Sequence, residues 1–221
     1  MTAVAASHAH PWTAESYAAA LHAGQGPLYL LCADGSRLPL DVARWCDLPD
    51  AADASVLDRC RGGVLDIGCG PGRMVAALAR AARPALGIDT APAAVARTRA
   101  SGGTALVRSV FEPLPAEGRW GSVLLMDGNL GIGGDPAALL RRAATLLEPG
   151  GLLLAETAPD EVDERFEARL ATPWGPVGTA FPWARLGPQA LNGLARRGGW
   201  LPVDQWVVGG RAFSALRRGA R

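Results

Sequence analysis

The sequence predicts a doubly wound α/β domain, in which a parallel β-sheet carries helices on both faces. From residue 63 onward, short apolar segments of strand length alternate with helical segments, an order typical of parallel sheets. The chain has 221 residues, of which 49% are hydrophobic and 19% are charged, and this is enough for one domain with a sizeable core. A glycine cluster separates the first strand of this region from its first helix. We therefore expect a single folded domain that binds its ligand at the strand ends.

Five strands and three helices are predicted in the alternating region. The predicted strands cover residues 64–67, 85–89, 104–108, 122–126 and 152–156. The predicted helices cover residues 71–82, 92–100 and 136–147. Pro92 and Pro136 open two of these helices, where the missing proline N–H has no cost. Pro113 and Pro115 leave little room for a full helix in residues 109–120.

The segment after the alternating region predicts a helix over residues 188–197 and then two strands. These strands, over residues 201–208 and 212–216, are joined by Gly209 and Gly210. Strands joined so closely run antiparallel, so the sequence predicts a parallel sheet closed by an antiparallel hairpin.

Residues 1–60 are interpreted as an N-terminal helical cap on a core that spans residues 61–221. The predicted elements of this cap are short helices over residues 13–23 and 53–60, with Thr13 and Asp53 as N-caps, and a turn at Asp34-Gly35.

The composition argues against several classes of protein. Lys+Arg 22 balance Asp+Glu 21 and leave a net charge of +1, so nothing favours binding to nucleic acid or to an anionic membrane. No apolar run approaches the length of a membrane span, and the first residues lack the basic and apolar regions typical of a secretory leader, so we expect neither a secreted nor a membrane-spanning protein. All 22 basic residues are arginines, which excludes chemistry that needs a lysine. We expect a cytoplasmic protein that acts on a small molecule, and its oligomeric state stays open.

The four cysteines have neither the spacing of zinc ligands nor a neighbouring histidine. We therefore expect no metal site, and we expect reduced thiols. Cys69 lies between two glycines and is interpreted as a small residue that fills the turn, because no nearby cation is evident to lower its pKa.

The glycine cluster in VLDIGCGPGR is the strongest functional signal. Gly68, Gly70 and Gly72 allow backbone N–H groups and a helix N-terminus to approach a ligand closely. A dinucleotide fingerprint would need a third glycine at the position of Arg73. Asp66, just before the glycines, would repel a pyrophosphate but attract an ammonium group. A cofactor with an amino-acid head satisfies both observations, and S-adenosylmethionine is such a cofactor.

Two further segments fit an adenosine. Asp89 ends the second strand, where a carboxylate can accept hydrogen bonds from both ribose hydroxyls. Ser109, Val110 and Phe111 follow the third strand, where adenine needs an apolar wall and a polar contact. Glu112 is the alternative to Ser109 for that polar contact.

These motifs resemble those of class I S-adenosylmethionine-dependent methyltransferases. The resemblance rests on VLDIGCGPGR, GID, VLLMDGNLG and LLEPGGLLLAE and covers residues 62–157. It implies a Rossmann-like sheet of seven strands with the last strand antiparallel. It also implies a cofactor across the carboxyl ends of strands one to three, and a substrate above strands four and five. The candidate cofactor-binding residues are Asp66, Gly68, Cys69, Gly70, Gly72, Arg73, Asp89, Thr90, Ser109, Val110, Phe111, Asp127 and Gly128.

Asp127 is the first candidate for catalysis, because it ends the fourth strand where cofactor and substrate meet. Burial would raise its pKa, so that its carboxylate could take a proton from the acceptor. The alternative is that Asp127 only helps to hold the methionine end of the cofactor. Asn129, Tyr17 and His22 are the next candidates.

Residues 158–186 are predicted to form a lid insertion after strand five. The two halves of this segment alternate like a hairpin around residues 173–178, and ordinary packing is the usual role of its aromatic side chains. The candidate substrate contacts are Asn129, Trp174, Phe181, Trp183 and Arg185.

We expect a methyltransferase that transfers the methyl group of S-adenosylmethionine to an oxygen, nitrogen or carbon nucleophile of a small-molecule metabolite. Two alternatives stay open. An NAD(P)-dependent Rossmann oxidoreductase is disfavoured by the GxGxG spacing and by Asp66. A non-catalytic S-adenosylmethionine-binding protein would show the same cofactor motifs without turnover.

Overall fold

The computed structural model describes residues 12 and 15–219. Its α-helices are α1 (Glu15–Ala23), α2 (Val42–Cys46), α3 (Ala51–Leu57), α4 (Arg73–Arg80), α5 (Pro92–Ala100), α6 (Pro136–Leu146) and α7 (Pro188–Arg197). Its β-strands are β1 (Leu28–Cys32), β2 (Arg37–Leu40), β3 (Val64–Ile67), β4 (Ala85–Asp89), β5 (Ala105–Val107), β6 (Trp120–Leu125), β7 (Leu147–Thr157), β8 (Asp163–Thr172), β9 (Gly175–Leu186), β10 (Trp200–Val208) and β11 (Arg211–Arg218). A 3₁₀ turn covers Asn129–Gly131.

The main sheet has seven strands in the order β10-β11-β7-β6-β3-β4-β5. Strands β3 to β7 run parallel to one another. Strand β11 runs antiparallel to β7, and β10 runs antiparallel to β11. The strand order reverses between β3 and β6, and ligands bind at such a switch point in open α/β sheets. The predicted doubly wound sheet, with its last strand antiparallel, is confirmed.

Helices cover both faces of this sheet. The core on one face includes apolar side chains of α6 and α7, and the core on the other face includes those of α3 and α4. Every residue of β3 and of β6 is buried, because central parallel strands are enclosed on both sides. This explains why these strands are continuous apolar runs in the sequence.

A second sheet, of four antiparallel strands, has the order β2-β1-β8-β9. Strands β8 and β9 form the hairpin that was predicted for the lid, and its tip lies at Pro173 and Trp174. Strand β1 pairs with β8, with Leu30 opposite Leu170. The lid and the segment before the core therefore form one sheet, which we call the roof sheet.

The N-terminal cap is less helical than the sequence predicts. The turn at Asp34-Gly35 was predicted correctly, but it joins the unpredicted strands β1 and β2. The N-cap of α3 is Asp50, and Asp53 completes the capping box three residues later, so the prediction of Asp53 as N-cap was wrong. The predicted N-cap Thr13 lies outside the described residues.

No helix among residues 12 and 15–219 is long and apolar enough to cross a bilayer.

Leu170 tests the packing of the roof sheet on the core. Its side chain is 0% exposed and belongs to a cluster with Tyr17, Leu28 and Val42. Leu170→Ala should lower the free energy of unfolding by about 2–5 kcal/mol, because it leaves a cavity. Urea denaturation followed by circular dichroism measures this loss. Trp174→Ala is the control, because Trp174 is 90% exposed, and a loss no larger than that of the control would contradict the described packing.

Candidate active site

A cavity of about 370 Å³ lies between the carboxyl ends of the parallel strands and the inner face of the roof sheet. The turn after β3, the ends of β4 and β6 and the segment after β5 form its floor. Apolar side chains of the roof sheet close it from above. The cavity is therefore at the switch point of the main sheet, where a ligand was expected.

The glycine turn approaches its neighbours too closely for larger side chains. A Cβ atom on Gly68 would lie 2.6 Å from Nδ2 of Asn129, and one on Gly72 would lie 2.4 Å from the Thr98 side chain. Gly68 and Gly70 line the cavity, whereas Gly72 does not. Gly72 begins α4 in a left-handed conformation, which glycine adopts without steric cost.

Asp89 lies in the cavity beside the glycine turn. Its carboxylate accepts hydrogen bonds from the N–H groups of Gly70 (2.9 Å) and Ala91 (2.8 Å). Burial raises the pKa of Asp89, and the backbone hydrogen bonds oppose this effect in part. Thr90 also lines the cavity. The end of β4 thus presents an acceptor next to the turn.

The segment after β5 forms another part of the floor. Ser109, Val110 and Phe111 all line the cavity, as the prediction required. Glu112 is exposed and outside the cavity wall, where its Oε2 accepts the Ser109 N–H at 2.8 Å. Of the two alternatives, Ser109 is the one placed to contact a ligand. Arg108 also lines the cavity, although no motif in the sequence marks it.

Arg73 is buried between two carboxylates. Its guanidinium donates to Asp53 at 2.7 and 3.0 Å and to Asp127 at 2.7 and 3.0 Å. Its side chain is only 4% exposed. A charge this deeply buried requires such pairing. Arg73 was predicted as a cofactor contact, and these ion pairs could not be read from its neighbours in the sequence.

Asp127 is held by arginines from several elements. Arg44 Nη1 donates to its Oδ1 at 2.7 Å, and Arg211 Nη2 lies 3.6 Å from the same oxygen. Burial alone would raise the pKa of Asp127, but the charges of Arg73, Arg44 and Arg211 outweigh burial and hold its pKa below the usual value. The predicted rise in pKa was therefore wrong, and Asp127 is a poor proton acceptor.

The same network reaches the C-terminal hairpin. Arg211 on β11 binds both carboxylate oxygens of Glu156, at 2.9 and 2.7 Å, and donates to Asp53 at 2.9 Å. Glu156 in turn accepts the Asp127 N–H at 2.9 Å. The backbone of Asp127 is left-handed, with φ 56°, a conformation that costs energy for a residue other than glycine. The network supplies contacts that hold it there.

Asp66 lies beneath the glycine turn and not in the cavity wall. It is 3% exposed, and no described residue donates a hydrogen bond to its carboxylate. Burial raises the pKa of Asp66 to about 7, with the nearby charge of Arg73 opposing the rise and the carboxylates of Asp127 and Asp89 adding to it. Asp66 therefore lies outside the described cavity wall, and its contact with a ligand ammonium stays a prediction.

Asn129 and Tyr17 both line the cavity. Asn129 Nδ2 donates to the carbonyl oxygens of Ile67 and Gly68, each at 2.9 Å, so its amide fixes the glycine turn. A Cβ atom on Gly70 would lie 4.0 Å from the Tyr17 hydroxyl. Burial and then the charge of Asp89 raise the pKa of Tyr17 well above its usual value, so the hydroxyl stays protonated.

Two candidate residues do not reach the cavity. His22 is exposed in the last turn of α1, on a different face of the helix from buried Tyr17. Trp174 is at the exposed tip of the lid hairpin. The geometry of the cavity therefore gives no support to the predictions of His22 as catalytic and Trp174 as substrate-binding. Phe181, Trp183 and Arg185 do line the cavity, together with Cys69 and Gly128.

The described residues contain no group of three or more His, Cys, Asp or Glu side chains arranged to hold a metal ion.

Residues 41–200 match a family model described as a methyltransferase domain. The chain therefore belongs to this methyltransferase family. The predicted resemblance to class I S-adenosylmethionine-dependent methyltransferases is confirmed. The fold and the placement of the cavity agree with this assignment.

Among curated proteins, the chain is similar to ubiquinone biosynthesis O-methyltransferases. It is 34% identical over 152 residues to that of Cereibacter sphaeroides, a match that covers 64% of this chain and 61% of the relative. It is 30% identical over 172 residues to that of Roseobacter denitrificans, which covers 68% of this chain and 69% of the relative. The chain thus spans about three fifths of the length of the first of these relatives.

Two solved structures share the fold. A SAM-dependent methyltransferase from Bacteroides fragilis, in complex with S-adenosyl-L-homocysteine, has a TM-score of 0.75 at 20% identity, with 92% of both chains covered. The 1,6-didemethyltoxoflavin-N1-methyltransferase of Burkholderia thailandensis has a TM-score of 0.57 at 20% identity, with 77% of this chain and 79% of that chain covered.

Asp66 should make stability depend on pH between about 4 and 7. Its pKa is about 7 in the folded chain, whereas an unfolded aspartate ionises near pH 4. Folding therefore takes up a proton in this range, and the stabilising contribution is lost as pH rises, by at most about 1.4 kcal/mol per pH unit. Asp66→Asn should reduce this slope, which urea denaturation at a series of pH values measures.

Asp160→Asn is the matched control, because Asp160 is exposed. This variant should keep the slope of the unmodified protein. Equal slopes for the unmodified protein and Asp66→Asn would contradict the raised pKa of Asp66.

Proposed function

We propose that the chain is an S-adenosylmethionine-dependent methyltransferase that acts on an oxygen, nitrogen or carbon nucleophile of a small molecule. The observation that carries this proposal is the pairing of the glycine turn with Asp89 in one cavity. The Gly70 N–H and the Asp89 carboxylate are 2.9 Å apart, so a ligand that contacts one also lies beside the other. A cofactor in which a ribose is joined to an amino-acid chain can contact the Asp89 carboxylate and approach the glycine turn at the same time.

The cavity residues fit this cofactor along its length. Asp89 would accept hydrogen bonds from the ribose hydroxyls. These would add to the hydrogen bonds that it accepts from the N–H groups of Gly70 and Ala91. Val110 and Phe111 would contact the adenine, with Ser109 as the polar partner. Gly68 would allow the methionine end to approach the backbone closely.

The methionine end would lie near Tyr17 and the arginine-bound Asp127. Tyr17 keeps its proton and can donate a hydrogen bond, and the buried network fixes the carboxylate of Asp127 in place. When bound, S-adenosylmethionine supplies an electrophilic methyl group on a sulfonium. The chain itself binds and aligns the two reactants, and the roof sheet excludes water from them.

The two alternative functions differ from this proposal in observable ways. In an NAD(P)-dependent oxidoreductase the position of Arg73 would be a glycine, yet the Arg73 side chain makes the central ion pairs of this site. A non-catalytic binding protein would hold the cofactor without forming S-adenosylhomocysteine. Formation of that product during incubation with a panel of small-molecule acceptors tests the proposed function.

The curated relatives are named as O-methyltransferases, which supports oxygen as the first acceptor atom to test.

All four cysteines are free thiols, which supports the expected cytoplasmic location.

Asp89→Asn should weaken S-adenosylmethionine binding about ten- to hundredfold. The variant loses charge-assisted hydrogen bonds to the ribose, each of which contributes about 1.5–3 kcal/mol. Isothermal titration calorimetry measures the change, with Asp160→Asn as the matched control that should bind normally. Unchanged affinity in a folded Asp89→Asn protein would rule out the assignment of Asp89 to the ribose.

A further inference from the structure

Building on the proposed methyl transfer, we infer that the acceptor is a planar aromatic molecule with an acidic hydroxyl group, which binds as its anion beside Arg185. The inference depends on three features of the cavity: an aromatic wall, a guanidinium at the end of that wall, and the lack of a free proton acceptor among the described lining residues.

The aromatic wall consists of Trp12, Phe181 and Trp183. The ring centroids are 5.7 Å apart for Trp12 and Phe181, 5.8 Å for Trp12 and Trp183, and 5.9 Å for Phe181 and Trp183. Rings at these distances are in mutual contact. The rings are tilted at 57°, 56° and 89° to one another, so they line this part of the cavity with ring faces and edges against which an aromatic molecule can pack. The guanidinium of Arg185 at the end of this wall disfavours a cationic acceptor.

The wall begins next to the proposed methionine site. A Cβ atom on Gly131 would lie 2.5 Å from the Trp183 ring, so Trp183 packs directly on the 3₁₀ turn that starts at Asn129. Asn129 fixes the glycine turn. A ring packed on Trp183 would therefore lie close to the place where the methyl group is expected.

Arg185 continues the wall along β9. Phe181, Trp183 and Arg185 alternate along the strand and thus project from the same face. Arg185 Nη1 pairs with Glu164 at 2.9 Å, and no described residue accepts from its Nε or Nη2. Arg185 also lines a smaller cavity of about 190 Å³ together with Gly128. A guanidinium with unused donors is thus available where the apolar wall ends.

None of the described titratable groups that line the cavity is a free base. The charged lining residues are Arg73, Arg108, Arg185, Asp89 and Asp127. Arginines hold Asp127 in its ionised form with a lowered pKa, and Asp89 is assigned to the ribose. The remaining titratable groups are Tyr17 and Cys69, whose pKa values burial raises well above the usual ones. Both stay protonated, so the acceptor must release its proton to water.

An acidic hydroxyl group on an aromatic ring meets this requirement. The positive charge of Arg185 stabilises the oxygen anion and so lowers the pKa of the bound hydroxyl. In the transfer, an oxygen lone pair forms the new bond to the methyl carbon while the carbon–sulfur bond breaks. The electron pair of that bond stays on sulfur, and the hydroxyl proton has already left to water.

The test uses 4-nitrophenol as the probe, because its anion absorbs visible light and reports its own ionisation. The protein of 221 residues is first saturated with S-adenosylhomocysteine, and calorimetry confirms that this ligand binds. The pKa of protein-bound 4-nitrophenol is then measured by spectrophotometric titration. We expect a decrease of about one unit or more relative to the free probe.

Two arginine variants locate the cause of this shift. Arg185→Gln should abolish the decrease and weaken binding of the anion about tenfold or more. Arg165→Gln is the matched control, because Arg165 is an exposed arginine of the neighbouring strand β8, outside the cavity wall. This variant should keep the decrease.

The outcomes separate this inference from the proposed function. If S-adenosylhomocysteine does not bind, the proposed function fails, and the inference fails with it. If it binds but the probe does not bind, or binds without a decrease in pKa, the inference is overturned and the proposed function stands. A decrease that persists in Arg185→Gln also overturns it, because the anion would then lie elsewhere.

Discussion

The buried guanidinium of Arg73 is the interaction on which the site depends. It joins α4, which carries Arg73, to Asp53 of α3 and to Asp127 after β6. A buried charge must be paired, and removing one partner of such a pair typically costs about 3–5 kcal/mol. The three elements are therefore held in one arrangement around the glycine turn. Arg211 and Glu156 extend the same constraint to the C-terminal hairpin.

This constraint explains why the acidic residues of the site behave differently. Asp127 faces arginines and stays ionised, whereas Asp66 is buried without a hydrogen-bond donor from the described residues and has a raised pKa. Asp89 accepts hydrogen bonds from the backbone N–H groups of Gly70 and Ala91, and it lines the cavity. The three carboxylates thus have different surroundings. Asp127 belongs to an ion-pair network, Asp66 is buried beneath the glycine turn, and Asp89 faces the cavity.

The main sheet and much of the cavity floor could be predicted because their signals are local. The glycine turn lies between adjacent elements, and Asp89 ends the next strand along the chain. The roof sheet could not be predicted in the same way, because β1 pairs with β8, which is distant in the sequence. Strand β1 therefore looked like a connection between helices.

The same distinction explains where individual residues lie in places that the sequence did not indicate. The low pKa of Asp127 results first from Arg73 and then from Arg44 and Arg211, all of which are far from it in the chain. His22 and Tyr17 were grouped because both lie on α1, but only the buried face of that helix reaches the cavity. Trp174 was grouped with Phe181 and Trp183, yet it lies at the hairpin tip, where neither face of the sheet protects it.

The central claim is that the cavity between the glycine turn and the roof sheet holds the cofactor. A crystal structure of the protein with S-adenosylhomocysteine tests this claim most directly. We expect the ribose hydroxyls within hydrogen-bond distance of Asp89, the adenine against Val110, and the amino-acid end beside Gly68. Electron density for the ligand at another site, or in the reverse orientation with adenine beside Asp127, would contradict the account.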